Sequence, residues 1–137
     1  MSVETTAQHE QLIRSMMDPR CWPEGGANRS RIDTHISTVV LAGDKAYKIK
    51  KPLDLGFLNF LSMTSREQAC REELRLNRRL APEIYESVCR ITGGLDRPAL
   101  DGPGELLDWA VQMRRFDPDA ILSHHPEWLD EALIDEL

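Results

Sequence analysis

Hydrophobic periodicity begins at residues 5–17, where Leu12, Ile13, Met16 and Met17 recur at i, i+1, i+4 and i+5. That spacing predicts one apolar face of a short amphipathic helix, stopped at Asp18-Pro19. Residues 18–30, DPRCWPEGGANRS, are rich in proline and glycine and read as a loop. The pattern then changes to strands. In RIDTHISTVVLAGDKAYKIKKPL, Val39-Val40-Leu41 precede a Gly43-Asp44 turn, and alternation follows it, so a hairpin is predicted. Residues 53–63, LDLGFLNFLSM, are apolar but irregular and read as a packed connection.

The clearest helix is predicted from Thr64-Ser65 to Leu80, before Ala81-Pro82. Thr64 with Glu67, or Ser65 with Gln68, has capping-box spacing. Ala69, Glu73, Leu76, Asn77 and Leu80 fall on one face of it. Residues 84–91 and 106–113 are strand-like and should pair as a second hairpin across the Gly/Pro-rich stretch 92–104. The terminal segment is helical in composition and broken by Pro126. Its amphipathic pattern (Leu129, Leu133, Ile134, Leu137) is still in phase at the last residue, as if cut short.

The expected fold is therefore α+β: an antiparallel sheet of about five strands with one prominent packed helix, an N-terminal helix and a C-terminal helical tail. Residues 1–30 form the N-terminal helix and loop, 31–116 the main lobe, and 117–137 the exit from it.

Composition narrows the function. The chain has 137 residues, 41% hydrophobic and 29% charged, as expected for one globular domain. A net charge of −6 argues against a general nucleic-acid binder. Positive charge is nevertheless clustered at Lys45, Lys48, Lys50 and Lys51 and again at Arg71, Arg75, Arg78 and Arg79, enough for a local anion site. Cys21, Cys70 and Cys89 are widely spaced and odd in number, which fits reduced thiols and no zinc site. No signal-peptide design and no apolar run of ~20 residues is present, so a cytoplasmic protein without a membrane partner is expected.

The candidate chemistry starts at Ala46-Tyr47-Lys48-Ile49-Lys50-Lys51. On a period of two, Ala46, Lys48 and Lys50 share one face, and Tyr47, Ile49 and Lys51 the other. A small residue two positions before a lysine is the arrangement that leaves room for an adenine while the ammonium reaches phosphate. The competing reading is edge protection, since exposed edge strands carry lysines to block pairing. Glu73 bears on the choice: a glutamate on a core-facing stripe is costly unless paired, and a phosphate-holding lysine needs such a partner. Glu72, about 100° around the helix, should be solvated.

The segments THIS-TVVLAGDKAYKIKKPLDLGFL, CREELRLNRRLAPEIY and DWAVQMRRFDPDAIL together resemble the N-terminal lobe of aminoglycoside phosphotransferase-like, protein-kinase-like domains. More narrowly, they are similar to bacterial uncharacterised proteins that often join such a domain to a P-loop ATPase domain. The resemblance covers about residues 30–135. It implies ATP as cofactor, with Mg²⁺ supplied mainly by the second lobe. It implies that Thr34-His35-Ile36-Ser37 is the phosphate-side loop, that Lys48 or Lys50 holds phosphate, and that Glu73 is the helix partner. Backbone groups around Met113–Arg115 would face adenine, and Phe116 and Asp117 would open the connection to the second lobe. Two departures stand out. The loop THIS has no glycine, and the HxD-type and Mg²⁺-binding motifs of a catalytic lobe are absent from the chain, so no transfer activity is expected of it alone.

His35 is read as either a site residue or a structural hydrogen-bonding residue, and Asn77 as structural. Trp109 and Met113 are read as core and hinge packing, Cys70 as a buried small residue, and His124-His125 as a surface turn rather than a metal pair. An alternative function stands beside the nucleotide-binding lobe. It is a non-catalytic regulatory or interaction module, self-associating or covered by a partner chain, with open apolar surface around Ala110–Leu122.

Overall fold

A computed structural model of the chain describes residues 2–115. Phe116, Asp117, His124-His125 and the expected helical tail lie outside the described residues. Helix α1 spans Thr6–Met16. It starts with a full capping box: the Thr5 hydroxyl accepts from Gln8 N–H, and the Gln8 side chain accepts from Thr5 N–H. Leu12, Ile13 and Met16 are buried and Met17 is partly buried, as the spacing predicts.

Six strands follow, all pairing antiparallel: β1 (Ser30–Asp33), β2 (Ser37–Ala42), β3 (Lys45–Lys50), β4 (Tyr85–Gly94), β5 (Arg97–Leu100) and β6 (Leu106–Arg114). Their order across the sheet is β1-β2-β3-β6-β4-β5. Helix α2 (Met63–Asn77) lies between β3 and β4 in the chain, and β6 separates those two strands in the sheet. The fold is α+β, with six strands rather than about five. The additional strand, β5, comes from the Gly/Pro-rich stretch 92–104 read as separating the two strands of the second hairpin. Pro98 is tolerated there because β5 is an edge strand. Gly93, at φ 104°, lets β5 approach: a Cβ at this position would stand 2.7 Å from the Arg97 carbonyl oxygen.

One sheet face carries Val40, Ala42, Tyr47, Ile49 and Leu107 against α1 and Trp22. Trp22 and Tyr47 pack edge to face at 5.5 Å between ring centroids. The opposite face carries Val39, Leu41, Ala46, Val111 and Met113 and packs with Cys70 of α2. The alternation predicted for β3 holds, and Lys48 and Lys50 lie on the α2 side. Edge protection is ruled out for them, because β3 sits between β2 and β6 and the sheet edges are β1 and β5.

Helix α2 differs from expectation in its ends and its face. Ser62, not Thr64 or Ser65, is the N-cap, and its hydroxyl accepts from Ser65 N–H. The helical turns end at Asn77, short of Leu80. Its buried stripe is Arg66, Cys70, Glu73 and Asn77, whereas Leu76 and Leu80 are 44% and 64% exposed. The helix thus presents a mostly polar buried stripe to the sheet, with the partly buried Met63 and Leu74 packed beside it. No helix among the described residues is long and apolar enough to cross a membrane.

Candidate functional site

The site is the contact between that polar stripe and β3. Lys48 and Lys50 project from β3 on one face and Glu73 projects from α2; the three are 0%, 1% and 3% exposed. Lys50 Nζ donates to Glu73 Oε1 at 2.5 Å, and Lys48 Nζ stands 3.5 Å from Glu73 Oε2. Two ammonium groups therefore share one carboxylate out of contact with water. Such a cluster is costly to assemble, so partners that lose a charge leave a large penalty behind. Lys50 also lies 5.9 Å from the centroid of the Phe60 ring.

Neighbouring groups extend the cluster. Ser37 is directly opposite Lys50 in the β2–β3 ladder, and Met113 is opposite Ala46 in the β3–β6 ladder. Ser37 Oγ, Tyr85 Oη and Glu73 Oε2 are buried with no hydrogen-bond partner. Burial, and then the Glu73 charge, raises the Tyr85 phenol far above the usual range. Burial also raises the Cys70 thiol, with the Lys50 charge pulling the other way, so Cys70 is an inert core residue. Asn77 donates from Nδ2 to the Glu73 carbonyl oxygen at 2.9 Å, which is a structural role.

Other residues expected in the site lie elsewhere. His35 is exposed in the β1–β2 loop, while Ile36 and Ser37 beside it are buried. That loop is held by Thr34, whose hydroxyl donates to the Ser37 carbonyl oxygen and accepts from Ser37 N–H, and by Lys51, which donates to the Thr34 carbonyl oxygen. Arg115 is committed to the β2–β3 turn. Its guanidinium donates to the Asn28 and Gly43 carbonyl oxygens and its N–H to Asp44 O. The Arg114 N–H donates to Ile84 O. The exposed large apolar side chains among the described residues are Phe57 (86%), Leu61, Leu76 and Leu80, not those of 110–113, which are mostly buried in the sheet.

Sequence reasoning missed a second buried ion pair, Arg66–Asp108. Arg66 Nε donates to Asp108 Oδ1 at 3.0 Å, and both side chains are buried. Its remaining donors reach Phe60 O at 2.7 Å, Leu61 O at 3.0 Å and Val3 O at 2.5 Å. Burial raises Asp108 to about 6 even though the Arg66 charge and the Trp109 N–H favour its ionised form. The signal was present in LLDWAVQM, because a carboxylate within an apolar strand requires a cation.

The fold and cluster define an α+β domain whose helix is joined to a central strand by buried charge. The uncharacterised proteins Rv2004c of Mycobacterium tuberculosis and Mb2027c of Mycobacterium bovis are each 38% identical to this chain over 84 residues. The match covers 61% of this chain and 15% of each relative, so the chain spans a small part of those proteins. No family model matches the chain, and no solved structure matches it. Among the described residues, no group of histidine, cysteine, aspartate or glutamate side chains could hold a metal ion.

Proposed function

We propose that this chain is a nucleotide-binding lobe of the aminoglycoside phosphotransferase-like, kinase-like type, contacting ATP phosphate through the β3 lysines. The observation that carries the reading is the meeting of Glu73 from α2 with both Lys48 and Lys50. A helix carboxylate that fixes a strand lysine is how such lobes hold an ammonium for phosphate. The strand order β1-β2-β3-β6-β4, with a helix between β3 and β4, supports the same lobe, with β5 an added edge strand.

Of the two lysines, Lys48 is assigned to phosphate and Lys50 to anchoring Glu73. Lys50 makes the short hydrogen bond. Lys48 is one pleat from Ala46 and Met113, the pair that would flank an adenine. Ser37 and Met113 belong to the walls of the reading, His35 only to its loop. The reading gives Arg115 no side-chain contact with nucleotide, and it assigns no acceptor and no transfer step to the described residues.

The test is thermal unfolding with increasing Mg²⁺-ATP. A ligand that binds only the folded state raises Tm with the logarithm of its concentration. The expected result is such a rise for the wild type, lost in folded Lys48→Met. A flat Tm through the millimolar range rejects the reading.

A second reading, an interaction module without catalysis, is favoured by the exposure of Phe57 and Leu80. It predicts concentration-dependent self-association in sedimentation, reduced by Phe57→Ser, with no response to nucleotide.

A further inference from the structure

We propose that the N-terminal segment is a latch on α2. Through Arg66, Val3 sets the position of the helix and so holds Glu73 against Lys50. Arg66 and Val3 are positioning residues in this account; neither touches the lysines.

The inference rests on how the N-terminal end of α2 is fastened. Of the four residues on its buried stripe only Cys70 is apolar, with the partly buried Met63 and Leu74 packed beside it. Arg66 begins that stripe, and its guanidinium spans three parts of the chain: Asp108 on β6, the Phe60 and Leu61 carbonyls ahead of the helix, and the Val3 carbonyl. Val3 is itself fixed, with its side chain fully buried and its N–H donating to Leu107 O at 2.8 Å. Two residues later Thr5 caps α1, whose Leu12, Ile13 and Met16 are rooted in the opposite core. Anchoring therefore passes from α1 through Val3 to Arg66. Glu73 lies seven residues beyond Arg66 on the same stripe, a rise of about 10 Å along one rigid helix. Charged hydrogen bonds of this kind contribute more than neutral ones, and their loss leaves buried groups unsatisfied. A force that withdraws Val3 would release one end of the helix and loosen the contact between Glu73 and Lys50.

The test needs no nucleotide, so it fails or succeeds independently of the proposed function. Lysines of the full chain are acetylated with acetic anhydride, and the rate at each lysine is read by mass spectrometry. Four proteins are compared: wild type, a variant lacking Ser2–Glu4, Arg66→Lys and Val3→Ala. Val3→Ala trims the side chain but keeps the carbonyl that Arg66 uses. The expected result is that Lys50 reacts about ten- to a hundredfold faster in the deletion, the cost of the one charged hydrogen bond to Val3 read as local opening. It should react at least as much faster in Arg66→Lys, which cannot keep the bonds to Asp108, Phe60, Leu61 and Val3 together. In Val3→Ala, which keeps the carbonyl but loses part of the buried anchor, the rate at Lys50 should rise less than in the deletion. Partly exposed Lys45, on the same strand but paired with Glu86, should react equally in all four. Low urea separates local from global opening, because only global opening accelerates steeply with denaturant. Unchanged Lys50 rates in both latch variants overturn the proposal, as does acceleration that follows global unfolding. If the deletion does not fold, Arg66→Lys decides by the same criteria.

Discussion

Replacing Glu73 by glutamine keeps the shape of the side chain and removes the single negative charge that Lys48 and Lys50 share. Removing one partner of a buried pair typically costs about 3–5 kcal/mol, because the other charge stays buried without compensation. Here Lys50 would be left facing an amide at its short contact, and Lys48 would lose one charged neighbour. For a domain of this size that cost corresponds to a fall in Tm of roughly 10–20 °C. Replacing Lys50 by methionine should be much milder. Glu73 would then keep the Lys48 ammonium as a counter-charge, so a cost below about half that of Glu73→Gln is expected. Urea unfolding followed by tryptophan fluorescence checks both, since Trp22 and Trp109 are buried. An unchanged m-value would show that the variants differ in stability and not in the extent of unfolding. A cost within about 1 kcal/mol for Glu73→Gln, or a larger cost for Lys50→Met, would refute the shared-carboxylate geometry.

Two further predictions concern the opposite face and the edge of the sheet. His9 is buried, and its Nε2–H donates to the Thr38 hydroxyl at 2.9 Å, which itself donates to Asp33. Burial first, then the Lys51 charge, lowers His9 to about 4 from the ordinary 6.5. The unfolded state therefore binds the extra proton first, so this contribution is full above pH 6.5 and lost as pH falls towards 4. Asp108, raised to about 6, acts in the opposite sense over the same range. The difference in stability between wild type and His9→Gln, measured by urea unfolding from pH 7 to 4, should shrink as the pH falls; a constant difference would contradict it. Gly93→Ala combines a positive φ with a Cβ 2.7 Å from the Arg97 carbonyl and should cost about 1–3 kcal/mol, read in the same unfolding assay. A neutral result would mean that β5 moves away easily.

The parts of the fold legible in sequence were those where local period and burial agree. Leu12, Ile13 and Met16 announced α1, and Ala46, Lys48 and Lys50 were placed on one face by strand alternation alone. Glu73 was found through a premise that fails. Leu76 and Leu80 were taken to mark the buried side of α2, yet they face outward while Arg66, Cys70, Glu73 and Asn77 face the sheet. Hydrophobic periodicity misleads where a helix is held by ion pairs, because the buried stripe is then polar. Arg66 remained hidden because its partner Asp108 is 42 positions away and no local pattern links them. Strand β5 was obscured by Pro98 and the glycines around it, residues that mark turns in isolation but are permitted at a sheet edge.

The central claim is that the β3 lysines, held by Glu73, receive nucleotide phosphate. Calorimetric titration of the folded chain with Mg²⁺-ATP, run in parallel on wild type, Lys48→Met and Lys50→Met, addresses it most directly. The account predicts saturable binding by the wild type and none by Lys48→Met, with Lys50→Met retaining weakened binding. Absence of binding by the wild type, or equal binding by all three proteins, would contradict it.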